Sequence, residues 1–585
     1  MQTGNNRCVA TACITAPGLA FVRCVPIGCR MKPRFLLALA CTLQMLLASQ
    51  ETTGSPLHVA STPPAQAAHV LNRLAFGPRP GDIERVEAVG IDRYIEAQLD
   101  PTSIPLPESL QRKLDAIDTD RDSAGRTLAA FLDARAVARQ GDQDARKATV
   151  ARITLQTAQA RLLRAVESPR QLQEVMVDFW FNHFNIFAGK GLDRALINAY
   201  ERDAIRPNAL GRFRTLLGAT AKDPAMLFYL DNWLSTADVR AVGAPAVTSL
   251  AGQKTKPSGL NENYARELME LHTLGVDGGY SQADVTTLAR MLTGWSFKPR
   301  ALAQDNAGFN FDSARHDGSA KTWLGRPVTA QGQAEGEYAL DILAIHPATA
   351  RRLSSQLAQY FLQDTPPADL VERMTQRYLA SDGDIGSILH VLFFSREFRD
   401  PASAGKKFKT PYRYVVSAIR ATGAPLVNVR PLVTALNQLG MPLYGCQTPD
   451  GYKNTEAAWL SSDALTRRLV FATALAAGRL PLTQAEVQAM SLPVGTDVAA
   501  VSSAAATSAS LFSVDAPGAM QPDRAIKSSM EKAAVAPAIT PTVDPLTLAQ
   551  TLGPLISVAT SASVSKSLAS LRAALLLGSP DFMQH

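Results

Sequence analysis

The chain has 585 residues, which is too long for a single domain of ordinary size. Hydrophobic residues make up 46% and charged residues 19%, and this mixture excludes a wholly disordered chain and a coiled-coil rod. The formal net charge of +7 is small for this length, and no run of Lys or Arg concentrates it. We therefore predict no binding to nucleic acid.

The N-terminal residues have the pattern of an export signal. A basic segment, residues 32–34, follows Met31, and a largely apolar run over residues 35–48 comes next. This run is too short to span a bilayer comfortably. We therefore interpret residues 1–48 as an over-extended start plus a signal peptide, and we predict a periplasmic or secreted protein. No transmembrane segment is expected after the signal is removed.

The cysteines agree with this interpretation. Five of the six precede residue 42, and Cys446 alone lies in the predicted mature chain. An exported protein with one thiol has no internal disulfide framework, so its stability depends on its core. A lipoprotein signal ending at Cys41 is the weaker alternative, because the apolar stretch continues beyond that residue.

The helical pattern predicts the fold class and the domain boundaries. Apolar residues recur at helical spacing over most of the chain, and residues 308–312 are the one short strand candidate. We predict an all-α protein with a large multi-helix globular domain and long loops at 235–259 and 298–336. The predicted segments are a linker at 49–66, a helical core at 67–485, a disordered insert at 490–543, and C-terminal helices at 545–585 that pack back on the core. Long helices are expected over 124–166 and 195–217.

Residues 171–187 predict a mostly buried helix with one polar stripe. Glu174, Asp178, Asn182 and Asn185 fall within roughly 80° of one another on a helix otherwise rich in Val, Met, Phe and Trp. His183 lies off this stripe, among the aromatic residues. Buried polar groups need partners, so the stripe forms either a network that fixes helix packing or the wall of a functional cavity.

A second polar segment covers residues 261–275. Asn261 is a plausible N-cap, and Gly275 marks the end of the helix. Asn263, Glu267 and Glu270 share one face, whereas Arg266 is placed to pair with a glutamate four residues earlier. His272 is five residues beyond Glu267, so the segment is not a zinc-protease motif, which needs His at positions i and i+4.

The third candidate is a Gly-flanked segment within the predicted loop 298–336. It contains His316, Asp317 and Lys321. Adjacent His and Asp residues occur in metal-dependent phosphohydrolases, but those enzymes carry the pair on a helix with a further His and Asp. The Asp-Gly-Ser sequence at 317–319 favours the alternative, a loop held by hydrogen bonds from Asp317 to the backbone.

Several segments together carry a family resemblance. In order along the chain, they are His69 to Pro78, Phe179 to Phe184, Asp223 to Asn232, Asn261 to Gly275, Ala289 to Trp295, and His316 to Gly325. With these motifs the chain resembles the bacterial family known only as domain of unknown function 1800. The resemblance implies an exported, mainly helical protein and a frequent genomic companion, itself an exported protein of unknown function. It supplies no reaction and no catalytic residues. Many members have a Pro-Pro…Gly-Trp segment where this chain has residues 444–452.

Two functions remain open from the sequence. The favoured one is an envelope scaffold or partner of the companion exported protein, and the alternative is a metal-assisted hydrolase with a carboxylate-lined cavity between helices. The metal and cofactor are unknown, although carboxylates and amides without Cys favour a hard divalent cation. The catalytic candidates are Glu174, Asp178, Glu267, Glu270, His316 and Asp317, and the binding candidates are Asn182, His183, Asn261, Asn263, Arg266 and Lys321.

Geometry decides between these two functions. Both polar helices are strongly apolar around most of their circumference, so we expect them to be neighbours in the core. The loop that contains His316 should then cover them. Convergence of all three segments on one pocket would favour the enzyme, and dispersal would favour the scaffold.

Overall fold

The computed structural model describes residues 63–237, 247–248, 254–255, 259–484 and 540–585. The predicted leader and most of the predicted linker lie outside these residues, as does residue range 485–539, which contains most of the predicted insert. Within the described part, the all-α class is confirmed. None of the helices in these ranges combines the length and the hydrophobicity needed to cross a bilayer.

The first half of the chain forms short helices around two long ones. In chain order they are α1 Pro63–Leu74, α2 Asp82–Val89, α3 Ile91–Leu99, α4 Glu108–Asp115, α5 Asp118–Arg121, α6 Ala124–Arg139, α7 Gln143–Glu167, α8 Gln171–His183, α9 Asp193–Ala199, α10 Phe213–Lys222, α11 Pro224–Tyr229, α12 Glu262–Glu270, α13 Gln282–Met291 and α14 Pro299–Asp305. A π-helical turn, Tyr200–Ile205, continues α9.

The second half continues in the same way. Its helices are α15 Gln333–Ile345, α16 Pro347–Phe361, α17 Ala368–Ala380, α18 Ile385–Phe393, α19 Arg396–Arg399, α20 Pro411–Thr422, α21 Arg430–Gln438, α22 Glu456–Trp459, α23 Ser462–Ala476, α24 Pro545–Leu552, α25 Val558–Ser565, α26 Arg572–Leu577 and α27 Pro580–Met583. Short 3₁₀ turns lie at Pro101–Ser103, Arg206–Asn208, Asn232–Leu234, Ser313–Arg315, Pro401–Ser403, Gly553–Leu555 and Ala569–Leu571.

The strands form two-residue or three-residue antiparallel pairs. They are β1 Val247–Thr248 with β2 Lys254–Thr255, β3 Trp295–Phe297 with β4 Phe309–Phe311, and β5 Thr322–Trp323 with β6 Arg326–Pro327. In the β3–β4 pair Trp295 lies opposite Phe311, so the strand candidate at 308–312 is real. The loop predicted at 298–336 therefore contains a helix and three of these strands, which are too short to give a strong periodic signal.

Two of the predicted long helices are divided by backbone breakers. The segment 124–166 breaks at Gly141, which has a φ of 114°, a left-handed conformation that favours glycine. The segment 195–217 breaks at Pro207 and Gly211, between the π-helical turn and α10. At the other end of the fold, α1 begins at Pro63, inside the segment predicted as linker, because proline fits the first turn of a helix.

The core consists of one large cluster, which contains α8 and α20, and a small second cluster between α1 and α2. Ten of the thirteen residues of α8 are buried, and every residue of α20 from Pro411 to Ala421 is buried. The C-terminal helices pack against this centre, since the Tyr414 hydroxyl on α20 donates to the carbonyl of Leu577. Residues 540–543 also bond to the end of α23, through the amide of Val543 and the carbonyl of Ala476.

Candidate functional site

The polar stripe on α8 is held by arginines from neighbouring elements. A carboxylate oxygen of Glu174 accepts a hydrogen bond from Arg206, which follows the π-helical turn. Asp178 accepts one from Arg161 on α7 at 2.6 Å and a second from the Tyr360 hydroxyl on α16 at 3.1 Å. The stripe therefore has the partners that burial requires, and these partners are protein side chains.

Glu201 completes this arrangement. It accepts hydrogen bonds from Arg161 at 2.8 Å, from Arg206 at 2.7 Å and from the Tyr444 hydroxyl at 3.0 Å. We call Arg161, Glu174, Asp178, Glu201 and Arg206 the central ion network. The Arg161 guanidinium also lies about 5 Å from three aromatic ring centres, those of Phe181, Tyr412 and Tyr444.

The pKa values of Arg161 and Asp178 reflect both their burial and this pairing. Burial alone would lower the pKa of Arg161, but Glu201, Asp178 and the nearby tyrosines outweigh burial and hold the pKa well above its ordinary value. Burial raises the pKa of Asp178, although Arg161 and Tyr360 oppose that change. The cavity beside Arg161 and Asp178 has a volume of about 20 Å³, room for about one water molecule.

The two asparagines of the stripe also have hydrogen-bond partners. The Asn182 side chain donates to the carbonyl of Tyr452 at 2.8 Å and accepts from its amide at 2.7 Å. Asn185 donates to the carbonyls of Cys446 and Thr448. At Gly451, which has a φ of 68°, an added Cβ would lie 2.3 Å from the Asn182 carbonyl oxygen. The segment 444–452, where the family pattern differs, is therefore a docking partner of α8.

His183 connects the end of α8 to the residues after α12. Its Nε2 donates to the backbone carbonyl of His272 at 3.1 Å. Burial and the neighbouring Arg352 lower the pKa of His183 to about 3. Burial lowers the pKa of His272 to about 3 as well, with further lowering by His183 and Arg352. Both imidazoles are thus neutral at physiological pH, and they pack among aromatic rings.

Helix α12 begins as predicted. The Asn261 side chain accepts a hydrogen bond from the amide of Tyr264 at 3.2 Å, which is the N-cap contact, and donates to the carbonyl of Leu230. Asn263 is exposed. Arg266 donates to the side-chain oxygen of Gln282 on α13, and its contact with Glu262 is long, at 3.9 Å. Arg266 therefore joins α12 to α13, and Asn261 joins the start of α12 to the residue after α11.

Glu267 and Glu270 are half-buried on the same helix. Burial and the adjacent Glu270 raise the pKa of Glu267. Glu270 accepts a long hydrogen bond of 3.5 Å from the Tyr280 hydroxyl. Among the described residues, neither carboxylate forms an ion pair, so this acidic face is separate from the central ion network.

The loop with Asp317 is attached to α13. Arg290 donates to the Asp317 carboxylate at 2.7 Å, and the Asp317 amide donates to the Thr293 hydroxyl at 2.8 Å. Ser319 also donates its amide to this carboxylate. Burial alone would raise the pKa of Asp317, but the hydrogen bonds from Arg290 and Ser319 lower it to about 2. These are the contacts of a loop held in place by its aspartate.

His316 and Lys321 meet a carboxylate that the sequence analysis missed. Glu335 on α15 lies 2.9 Å from the Lys321 ammonium and 3.3 Å from the Nε2 of His316. The other ring nitrogen of His316 lies 2.9 Å from the carbonyl of Thr293, so it acts as a donor there. This buried ion group joins the loop to α15.

The predicted site residues have different hydrogen-bond and ion-pair partners in the three segments. Within the ranges that the structure describes, no hydrogen bond or ion pair joins the carboxylates of α8, those of α12 and the loop that contains Asp317. In the same ranges, no three His, Cys, Asp or Glu side chains are arranged to hold a metal ion. The end of α8 contacts the residues after α12, where His183 donates to the backbone carbonyl of His272.

The arginines that pair with the carboxylates of the α8 stripe were not predicted from the sequence. Arg161 and Arg206 are charged residues in segments with a helical pattern, and their burial depends on long-range packing. The sequence did contain one signal for these partners. A buried helix with two carboxylates needs compensating cations. That requirement indicates an arginine but does not say which one.

Neither the curated proteins nor the solved structures contain a match to the chain. A family profile described as "Protein of unknown function (DUF1800)" matches residues 69–584, which is most of the chain. The protein therefore belongs to the DUF1800 family of unknown function, as its sequence motifs predicted.

Proposed function

We propose that the protein is an exported, non-catalytic envelope scaffold that binds the companion exported protein. One observation carries this proposal: the carboxylates of α8, which could have formed an active site, are buried and paired with Arg161 and Arg206. A general acid or base needs access to substrate. Here the buried carboxylates contact arginines and tyrosines instead.

Exposed apolar side chains near the C-terminus support binding to a partner. Val470 on α23, Leu546 on α24, Val558 on α25 and Leu568 are 60%, 71%, 88% and 63% exposed. Helix α26 packs against α23, α24 and α25, so these side chains lie on neighbouring elements. Apolar side chains grouped on one part of a surface are typical of protein interaction sites.

Export is tested by the mature N-terminus. Mass spectrometry of the protein purified from separate cell fractions should find a chain that begins near Ser49 in the periplasm or the medium. An intact chain that begins at Met31 and stays in the cytoplasm would contradict the proposal.

Partner binding is tested with the purified companion protein. Isothermal titration calorimetry should detect a complex, and a Leu546→Ser, Val558→Ser double variant should weaken it at least about tenfold. Val276→Ser is the control, because Val276 is 68% exposed but lies in the turn after α12 and not on the C-terminal helices. The proposal fails if no complex forms or if the control weakens binding as much as the double variant.

A further inference from the structure

Two side chains from other helices hold the turn that follows α12. The carbonyl of Leu271 accepts a hydrogen bond from Arg352 on α16 at 3.1 Å. The carbonyl of His272 accepts one from the Nε2 of His183 on α8, also at 3.1 Å. We call His183, His272 and Arg352 the histidine junction, because these contacts join α8 and α16 to the turn at residues 271–275.

The three side chains of the junction lie close together without a paired carboxylate. The ring centres of His183 and His272 are 6.3 Å apart. The Arg352 guanidinium packs against the end of the turn, since a Cβ added at Gly275 would lie 3.2 Å from its Nη1. Among the residues that the structure describes, none of the three forms an ion pair. The junction is therefore a group of two imidazoles and one cation.

The surroundings of the two imidazoles would compensate a positive charge poorly. His272 is 2% exposed, and its Nε2 has no hydrogen-bond partner among the described residues. His183 is half-buried, with its ring centre 5.4 Å from that of Trp180 and 4.6 Å from that of Phe184. Aromatic rings compensate a buried charge less than a carboxylate does. Protonation of either imidazole therefore places a second positive charge near Arg352 with no opposite charge to pair with it.

The charged groups around the junction set the direction of its response to acid. Burial is the largest cause that lowers the pKa of both imidazoles to about 3, Arg352 lowers both further, and His183 also lowers the pKa of His272. The hydrogen bond to the His272 carbonyl opposes this change at His183. Glu270 and Tyr280 act on Arg352, where they oppose the lowering of its pKa by burial. No carboxylate of the described residues contributes to the pKa of either imidazole.

Acid should therefore favour an open junction. In the closed junction both imidazoles stay neutral down to about pH 3, whereas exposed imidazoles take up a proton below about pH 6.5. The stability that the two neutral rings contribute is complete above about pH 6.5 and is lost as the pH falls towards 3. Within this window each imidazole should raise the population of the open form by up to about tenfold per pH unit.

The connection from the turn to α13 has the features of a hinge. Gly275 and Gly279 have φ values of 87° and 80°, in the left-handed region that favours glycine. Val276 and Asp277, which lie between them, are exposed. An exposed connection of this kind can absorb changes in φ and ψ, so the turn can separate from α8 and α16 while α13 stays in place.

We propose that the histidine junction is an acid-sensitive switch: protonation of both imidazoles beside Arg352 releases the turn at residues 271–275 from α8 and α16, while the core around α20 stays closed. Release uncovers the aromatic rings of Trp180 and Phe184, which are 0% exposed in the closed protein. The switch is independent of the proposed scaffold function, since none of the carboxylates or exposed apolar side chains used for that proposal belongs to the junction.

The experiment follows hydrogen–deuterium exchange of the purified protein by mass spectrometry from about pH 7 to about pH 4, with exchange times scaled for the intrinsic effect of pH. The amides of Leu271, His272 and Gly275 are the reporters, because each donates to a carbonyl of α12 in the closed protein. We expect their protection to fall by up to about 100-fold per pH unit over part of this range, since two imidazoles take up protons on opening. The buried amides of α20 should stay protected. Constant protection in the turn, or its loss together with that of α20, would overturn the proposal.

Variants assign the pH dependence to the junction. His183→Gln keeps a donor for the His272 carbonyl but does not titrate, and His272→Leu replaces a ring whose Nε2 has no partner with an apolar side chain. Each should reduce the slope to about tenfold per pH unit, and the double variant should remove it. His390→Gln is the matched control and should keep the wild-type slope, because His390 is 46% exposed and pairs with Glu96 on α3. An unchanged slope in either junction variant that folds, or a reduced slope in the control, would overturn the proposal.

Discussion

The central ion network differs from a second group of buried basic residues in how its charges are balanced. This second group, the basic cluster, consists of Arg73, Lys409, Arg413 and Arg468. In the network, two arginines face three carboxylates, and Glu201 bridges both guanidinium groups. In the basic cluster, four cations face carbonyls, a hydroxyl and ring faces. The two regions communicate through Arg413, whose lowered pKa comes from burial, while Tyr360 and Asp178 oppose the change.

This difference separates two uses of buried charge. A network whose charges pair within the protein fixes how helices pack, and it needs nothing from outside. A cluster of one sign depends on neutral acceptors and ring faces, which compensate a buried charge less than an opposite charge does. The same molecule therefore contains one group of buried charges that pair with each other and one group of like charges held by carbonyls, a hydroxyl and aromatic rings.

The largest expected effect comes from breaking the network at Arg161. Arg161→Met leaves Asp178 and Glu201 buried without their main cation, so the free energy of unfolding should fall by about 3–5 kcal/mol. Urea denaturation gives this value. Arg112→Met is the matched control, because its pair with Glu108 is exposed, and its effect should stay below about 1 kcal/mol. Equal effects in the two variants would show that burial does not strengthen the Arg161 contacts.

The next largest effect is expected at the contacts of Glu335 with Lys321 and His316, which join the loop to α15. Glu335→Gln removes the charge that faces Lys321 and His316, while an amide oxygen remains as an acceptor. We expect a loss of about 2–3 kcal/mol in the free energy of unfolding, measured in urea. Protease digestion should also cut the segment 313–321 faster than in the wild type, because the loop loses its link to α15. An unchanged cleavage rate would contradict the role assigned to Glu335.

Asp223, which forms no ion pair among the described residues, should make the stability depend on pH. Burial raises the pKa of Asp223 from 3.8 to about 7, with a contribution from Asp203. Folded Asp223 therefore keeps its proton where the unfolded chain loses it, and this group makes stability fall as the pH rises from about 4 to 7. Asp223→Asn keeps a good N-cap for α11 but does not titrate. Its stability relative to the wild type should increase by about 1–3 kcal/mol across this window. Parallel pH profiles of the two proteins would contradict the shift.

The sequence predicted the fold class and the presence of most helices because their apolar spacing is a local signal. It also predicted the N-cap at Asn261, which depends on residues three positions apart. The site was predicted only in part. The stripe on α8 showed that partners were needed, but Tyr360 lies 182 residues further along the chain from Asp178. Contacts of that kind arise from packing, and no local pattern encodes them.

The basic cluster illustrates the same limit. Arg73 and Arg413 lie on different helices, 340 residues apart in the sequence, and neither stands in a run of basic residues. Each has the helical spacing of a solvent-exposed residue. Only the packed structure shows that both are buried and that their donors lack partners.

The central claim is that the carboxylates of α8 serve packing and not catalysis, and the unfolding free energy of Glu174→Gln tests it most directly. Carboxylates kept for chemistry are often strained, and their replacement then stabilises the protein. The contacts of Glu174 with Arg206 predict the opposite result, a loss of about 2–4 kcal/mol in urea denaturation at neutral pH. A Glu174→Gln variant that is as stable as the wild type, or more stable, would contradict this account.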